Sequence, residues 1–296
     1  MECVLKCRNI SKKINKNTIL DDISLDISEG DIYGLVGSNG AGKTTLIKSI
    51  LGLNNIDNGS ISICGCDTRF DFKNAISSVG AIVENPEFYE YMSGLDNLKL
   101  KCRIYNINSN RLNEVINLLE LNDYIDKKVN TYSLGMKQRL GIAFAILNNP
   151  KLLILDEPTN GLDIGGIEVL KRIIRKLSSN NIAILISSHI LSILDDLCNK
   201  VCIIKNGKII KNDLVSNLKK INNNDNYIFK VSDTSNINLA FDTKIIDDNT
   251  FKVNCNREFI PLIIESLIKS DINIYEIVKE NITIEKLLFG GINETN

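Results

Sequence analysis

The segment Ile32-Tyr-Gly-Leu-Val36-Gly37-Ser-Asn-Gly40-Ala-Gly42-Lys43-Thr44 decides the fold. Its first five residues are almost continuously apolar and short enough to form a buried strand. The next eight match the pattern G-x-x-x-x-G-K-[ST], and Thr45 to Leu51 read as a helix. Strand, glycine loop and helix in this order are the context that a phosphate-binding loop requires, and they make a plain glycine-rich turn the weaker alternative.

The chemistry of this loop follows from its residue types. Glycines let main-chain N–H groups converge on a phosphate without Cβ obstruction, and the helix N-terminus adds partial positive charge. Lys43 should reach the β- and γ-phosphates, while the Thr44 hydroxyl should ligate Mg²⁺. The predicted nucleotide-binding residues of the loop are Gly37, Ser38, Asn39, Gly40, Ala41, Gly42, Lys43, Thr44 and Thr45.

Two adjacent acids, Asp156 and Glu157, follow a second buried-strand candidate, Lys151–Leu155. Asp156 is predicted to hold Mg²⁺ through its water shell, and Glu157 is the candidate general base for an attacking water. Two acids at a strand end could also be a solvated turn. Their combination with a phosphate loop favours the catalytic interpretation.

The remaining pattern predicts an α/β domain with a parallel or mixed sheet covered by helices. A strand with one solvent-exposed face is expected at Leu20–Ile27. Residues 94–147 repeat apolar side chains at helical spacing, which predicts a helical subdomain. Further buried strands are predicted at Ser78–Val83, Ile182–Ile186 and Lys200–Ile204. This first domain is assigned to residues 1–214.

The composition changes after this domain. A polar, Asn-rich stretch over residues 215–226 is predicted to be a linker. Residues 227–296 then alternate predicted strands and helices, ending with a helix at Ile284–Phe289, and they are assigned to a small α+β accessory domain.

Composition excludes several classes of function. The net charge of −1 over 296 residues gives no overall field for wrapping duplex nucleic acid or binding anionic lipid, although a local charged patch could still exist. No apolar run approaches the roughly 18 to 20 residues that cross a bilayer, and the N-terminus lacks a hydrophobic signal core. We therefore expect a cytoplasmic chain that does not bind nucleic acid.

Histidine and cysteine usage narrows the chemistry further. His189 is the single histidine, which excludes metal sites built on histidine clusters and any Ser-His or Cys-His nucleophile that does not use it. The eight cysteines match no zinc or iron–sulfur spacing. In a chain without an export signal they are expected to be reduced thiols that pack as small apolar side chains.

Three further segments carry a resemblance to a known family. Thr131-Tyr-Ser133-Leu-Gly135-Met-Lys-Gln-Arg-Leu140 resembles the signature motif of ATP-binding cassette (ABC) ATPases, usually written LSGGQ. Asn160-Gly-Leu-Asp163 is similar to the D-loop, and His189, after a predicted strand, is similar to the switch histidine. With the phosphate loop and the Asp156–Glu157 pair, five motifs in order resemble this family over residues 3 to 214.

The resemblance implies a P-loop NTPase cassette that hydrolyses ATP with Mg²⁺. It implies a dimer of cassettes facing head to tail, in which Ser133 and Gly135 of one copy cap the γ-phosphate held by Lys43 of the other. Asp163 belongs to the same composite site. His189, as a neutral imidazole, is expected to donate to a γ-phosphate oxygen and so to sense that phosphate.

The sequence departs from the family pattern at two motifs. Glu84 stands where most cassettes have glutamine, so a carboxylate is expected to meet Mg²⁺ and the attacking water. In the signature, Leu134 and Met136 replace glycine and glutamine. Both departures resemble the bacitracin-resistance and lantibiotic-immunity branch, as does the small C-terminal domain.

A third departure concerns the nucleotide base. Ile14 aligns with the position where an aromatic side chain usually stacks on adenine. Because base–aromatic stacking is worth about 1–3 kcal/mol, its loss should weaken nucleotide affinity and relax the discrimination between ATP and GTP.

The resemblance also implies partners. The chain is expected to dock on a separate membrane permease, at the inner face of the membrane, through the block around Glu84–Asn97. Phe88, Tyr89 and Tyr91 of that block could be core or interface residues.

The leading function is the motor of a peptide-antibiotic exporter or immunity transporter, and the motor of a lipid or drug exporter is the alternative. A soluble ABC ATPase acting on ribosomes or DNA usually has two cassettes, a long coiled-coil insertion or a basic arm, which this sequence lacks.

Overall fold

The computed structural model describes residues 2–189, 191–220, 225–235, 237, 239 and 241–280. The chain divides into two compact units, Met1–Val215 and Ser216–Asn296. Among the described helices, none has both the length and the apolar character that crossing a bilayer requires.

An antiparallel sheet forms the first part of the larger unit. Its strands are β1 (Cys3–Ile14), β2 (Asn17–Ser28), β4 (Asn58–Ile63) and β5 (Cys66–Asp67), in the order β2-β1-β4-β5. Asn15 and Lys16 join β1 to β2 with φ values of 47° and 69°, and two positive φ angles in a two-residue loop suit the twist of a hairpin. The sequence predicted a strand only at Leu20–Ile27; the rest of this sheet was missed.

A second sheet of six strands lies at the centre of the same unit. Its strands are β3 (Ile32–Val36), β6 (Val79–Ile82), β7 (Leu152–Leu155), β8 (Ala183–Ser188), β9 (Lys200–Lys205) and β10 (Lys208–Leu214). The order is β10-β9-β3-β8-β7-β6, and all neighbours are parallel except β10 and β9. The five predicted buried strands are confirmed to within two residues. Their continuous apolar runs arise because both faces of a parallel sheet are covered.

Helices cover this sheet, and three of them form the helical subdomain that was predicted at residues 94–147. They are α1 (Lys43–Ile50), α2 (Phe72–Ser77), α3 (Gly94–Tyr105), α4 (Ser109–Leu118), α5 (Leu134–Ile146), α6 (Ile164–Ser179) and α7 (Leu191–Leu197). Side-chain caps divide residues 94–147 into three helices: the oxygens of Ser93, Asn108 and Ser133 accept the N–H groups of Asp96, Arg111 and Met136.

The second unit is a small α+β structure. Strands β11 (Asp225–Val231), β12 (Asp242–Asp247), β13 (Thr250–Cys255) and β14 (Ile274–Lys279) form an antiparallel sheet in the order β12-β13-β11-β14. Helix α9 (Ile260–Lys269) contributes Ile263 and Leu267 to its core. The stacked rings of Phe229 and Phe251, with centroids 5.0 Å apart, lie in the same core.

The structure corrects the predicted linker over residues 215–226. Helix α8 covers Val215–Lys220, and β11 begins at Asp225. The Asn- and Lys-rich composition concealed an apolar pair at i and i+3, because Val215 and Leu218 are both buried. The helix predicted at Ile284–Phe289 lies outside the described residues.

Several cysteines are packed in the core of the larger unit. Burial raises the pKa of the Cys7 and Cys198 thiols and raises that of Cys202 to about 12. These thiols are therefore neutral at physiological pH and act as small apolar side chains.

Helix α5 touches the central sheet at Gly80 of β6. A Cβ atom on Gly80 would lie 2.3 Å from the Ala145 carbonyl oxygen. Gly80→Ala should therefore force α5 away from β6 and lower the free energy of unfolding by about 1–3 kcal/mol, the usual cost of overpacking. Thermal and urea denaturation measure this.

Gly165→Ala is the matched control, because a Cβ on Gly165 in α6 meets no atom within 4 Å. Alanine is favoured over glycine inside helices, so this variant should lose no stability. Equal stability of the two variants would contradict the close approach at Gly80.

Candidate nucleotide-binding site

The loop between β3 and α1 passes close to neighbouring main chain. A Cβ on Gly37 would lie 2.4 Å from the Ile204 carbonyl oxygen of β9. Gly40 and Gly42 have φ values of 79° and 109°, which favour glycine. Gly42 is the N-cap of α1, so the helix begins at Lys43 and directs its free N–H groups toward the loop.

Lys43 is a buried cation held at this loop. Its side-chain nitrogen Nζ donates to the carbonyl oxygens of Gly37, at 2.6 Å, and of Ser38, at 3.3 Å. It also lies 3.3 Å from Oε1 of Glu157. The residue is 5% exposed. An ammonium in this position offers a fixed positive charge to an anion entering the loop.

The acids that follow β7 are oriented by Ser187 at the end of β8. Its buried hydroxyl donates to Oδ1 of Asp156 and accepts the main-chain N–H of Glu157 at 2.8 Å. Glu157 has a φ of 49°, which is unusual for a residue with a side chain. Sequence reasoning missed Ser187; its signal was a pair of serines ending an otherwise apolar strand.

His189 joins the same cluster from the residue after β8. Its Nδ1 lies 2.8 Å from Oε2 of Glu157. A neutral imidazole carries a single N–H, so donation to this carboxylate places the hydrogen on Nδ1. Donation from His189 to a phosphate oxygen then requires the ring to leave Glu157 or to change its protonation.

Glu84 follows β6 with a φ of 62°. Its Oε1 accepts a hydrogen bond from Nζ of Lys48 in α1 at 2.8 Å. The hydrogen bond and charge of Lys48 hold the pKa of this carboxyl below its usual range. Glu84 is thus an ionised, exposed carboxylate beside the helix that follows the phosphate loop.

The phosphate loop opens on a cavity of about 430 Å³. Ile14, at the end of β1, lines it and is 42% exposed. Sequence reasoning missed the neighbouring wall residues. The full lining comprises Ile14, Asn15, Asn17, Ile19, Ser38, Asn39, Gly40, Gly42, Lys43, Thr44, Thr45 and Glu157.

Ser133, Gly135 and Asp163 lie together in a different cavity, of about 370 Å³. Ser133 is the N-cap of α5, and Asp163 is the N-cap of α6. The lining of this cavity contains no residue of the phosphate loop. Within one chain, Ser133, Gly135 and Asp163 therefore line a different cavity from the phosphate loop.

The residues predicted to hold Mg²⁺ fit that ion chemically. Thr44 offers a hydroxyl, and Asp156 and Glu84 offer carboxylates, which are the oxygen ligands that Mg²⁺ prefers. Asp156 is 3% exposed, and the hydrogen bond that its Oδ1 accepts from the Ser187 hydroxyl fixes the position of that oxygen. Such a group provides negative charge that a cation can neutralise.

Comparison with known proteins places the chain in a family. A family model described as ABC transporter matches residues 20–160. The chain is 42% identical to the bacitracin transport ATP-binding protein BcrA of Bacillus licheniformis, over 75% of this chain and 73% of that protein. It is 40% identical to the lantibiotic transport ATP-binding protein SrtF of Streptococcus pyogenes, over 75% of this chain and 96% of that protein.

A solved ATP-binding subunit of an ABC transporter is similar in structure, with a TM-score of 0.67 and 28% identity over 73% of this chain and 92% of that chain. The phosphate loop, the acids after β7 and the cap of α5 thus lie in a cassette shared with these relatives. The chain belongs to the ABC transporter family and is one of its ATP-binding subunits.

Proposed function

We propose that this ATP-binding subunit is the ATP-hydrolysing motor of a transporter that exports a peptide antibiotic or gives immunity to one. The observation that carries the hydrolytic part is the contact of Glu157 with both Lys43, at 3.3 Å, and His189, at 2.8 Å. The cargo class is supported by the similarity to bacitracin and lantibiotic transport proteins.

Glu157 is the proposed general base. In the structure its carboxylate is occupied by Lys43 and His189. A γ-phosphate entering the loop competes for the Lys43 ammonium, because a phosphate carries more negative charge than a carboxylate. Release of Lys43 leaves Oε1 of Glu157 able to accept a proton from the water that attacks the γ-phosphorus.

The other site residues have supporting roles in this proposal. Main-chain N–H groups of the loop and the N-terminus of α1 bind the phosphates. Asp156, held by Ser187, and Thr44 and Glu84 would hold Mg²⁺, which when bound neutralises phosphate charge. His189, once released from Glu157, is available to a γ-phosphate oxygen.

A second copy of the cassette would complete the site. Ser133, Gly135 and Asp163 line a cavity to which the phosphate loop, with Lys43, does not contribute. A head-to-tail pair would bring the capped end of α5 of one copy to the loop of the other. This arrangement supports the proposed homodimer.

A groove between the segment before α3, helix α3 and helix α5 is the proposed docking site for a membrane permease. Tyr89 and Tyr91 are strongly exposed, whereas Phe88 is half-buried with its ring centroid 6.3 Å from that of Phe144. The groove holds about 520 Å³ and is lined by Glu87, Phe88, Tyr89, Asn97, Leu100, Lys101, Ile104 and Phe144. An exposed, largely apolar groove of this kind supports binding of a protein segment.

Glu157→Gln should abolish hydrolysis and preserve nucleotide binding. The amide cannot accept a proton from water, so ATP turnover should fall by about 10²- to 10⁴-fold. Phosphate release at saturating ATP measures this, and size-exclusion chromatography with ATP should show a trapped dimer. Glu120→Gln, which removes an exposed partner of Arg172, is the matched control. A Glu157→Gln variant with parental turnover would assign the base to another group.

The cavity wall at Ile14 predicts relaxed base specificity. The wild-type chain should hydrolyse GTP with a kcat/KM within a hundredfold of that for ATP, because Ile14 offers no stacking ring. Ile14→Tyr should tighten ATP binding by about fivefold or more, from roughly 1–3 kcal/mol of stacking. Ile104→Tyr, on α3, is the control. Rejection of GTP by the wild type by a hundredfold or more would disprove this expectation.

The groove proposal predicts a selective loss of permease binding. Ile104 is 75% exposed, and Ile104→Glu would place a charge where an apolar partner surface should pack. Co-purification with a polytopic membrane protein encoded beside this gene should fall at least tenfold, while nucleotide binding stays unchanged. Ile210→Glu, on β10 and 58% exposed, should retain co-purification. Equal recovery of both variants would place the docking surface elsewhere.

A further inference from the structure

Lys48 is a second cation on the helix of the phosphate loop. It lies four residues after Thr44 in α1, which places both side chains on the same face of the helix. Its Nζ lies 2.8 Å from Oε1 of Glu84. The ammonium is therefore in direct contact with one of the three groups proposed to hold Mg²⁺.

The position of Glu84 relative to Asp156 is set by the main chain. The Asp156 N–H donates to the Ile82 carbonyl oxygen at 2.9 Å, which joins the ends of β6 and β7. Two residues after Ile82, Glu84 adopts a left-handed φ of 62°. Because L residues disfavour this conformation, tertiary contacts must maintain it, and the ion pair with Lys48 is one such contact.

Building on the proposed role of Glu84 toward Mg²⁺, we propose that Lys48 is a positioning residue that competes with the metal ion. Lys48 holds Glu84 near the metal position while no divalent cation is bound, and it must release the carboxylate when the ion binds. Because the metal ion can bind the Glu84 carboxylate only by displacing the Lys48 ammonium from it, Lys48 lowers the affinity of the site for the metal.

Metal binding tests this inference without measuring turnover. Mn²⁺ serves as a paramagnetic substitute for Mg²⁺, and the electron paramagnetic resonance signal of free Mn²⁺ reports its binding to the full chain with ADP. Protein is kept in excess over ADP, so that little unbound nucleotide chelates the ion. Binding of ADP in EDTA, measured first, establishes independently that the nucleotide site is intact.

The variants form a double-mutant cycle. Lys48→Met should tighten Mn²⁺ binding by about two- to fivefold, the size expected for an exposed ion pair. Lys48→Arg, which keeps the charge, should bind Mn²⁺ as the wild type does. Glu84→Gln should weaken Mn²⁺ binding, and adding Lys48→Met to it should change the affinity by less than twofold. Lys151→Met, which removes a surface partner of Glu29 at the other end of β7, is the matched control.

The outcomes separate the two proposals. If Lys48→Met bound Mn²⁺ with the affinity of the wild type, or tightened Mn²⁺ binding equally with and without the Glu84 carboxylate, the role of Lys48 would be overturned. Glu84 would still be a metal ligand. A Glu84→Gln variant that binds Mn²⁺ as tightly as the wild type would remove Glu84 from the metal site and the inference with it. A wild type that fails to bind ADP in EDTA would instead refute the proposed nucleotide site.

Discussion

The site depends on one constraint: β3, β8 and β7 are adjacent and parallel, so their carboxyl ends meet at one edge of the sheet. The phosphate loop follows β3, His189 follows β8, and the two acids follow β7. These residues are far apart in sequence, and only the strand order brings them together. The buried Ser187 hydroxyl adds orientation, because it bonds to both Asp156 and the main chain of Glu157.

In this arrangement the carboxylate of Glu157, the proposed base, is already in contact with other side chains. Glu157 contacts a cation on one side and an imidazole on the other, and its left-handed φ directs it between them. In the proposed mechanism, a γ-phosphate that enters the loop competes with Glu157 for the Lys43 ammonium, and its arrival would free the carboxylate oxygen that takes the proton of the attacking water.

The sequence predicted what local patterns encode. Strand β3, the glycine loop and the helix after it follow from residue types at short spacing, and the structure has them where expected. Contacts between distant residues could not be predicted, such as Ser187 with Asp156 or Lys48 with Glu84. Helix α8 escaped notice because two buried apolar residues stand within a polar, Asn-rich composition. Strand β1 was missed because it carries several charged side chains, although part of its hairpin partner β2 was predicted.

The separation of Ser133 from the phosphate loop, in two different cavities, gives the proposed dimer a physical reason. The Ser133 hydroxyl accepts the Met136 N–H at the cap of α5, and a hydroxyl that accepts still has a proton to donate. In a single chain that donor lines a cavity without the phosphate loop. In the proposed head-to-tail pair, it would meet the γ-phosphate held by the loop of the second cassette. Hydrolysis followed by release of the phosphate would remove the anion that Ser133 and the α5 N-terminus contact, so the proposed pair would lose that contact when ATP is consumed.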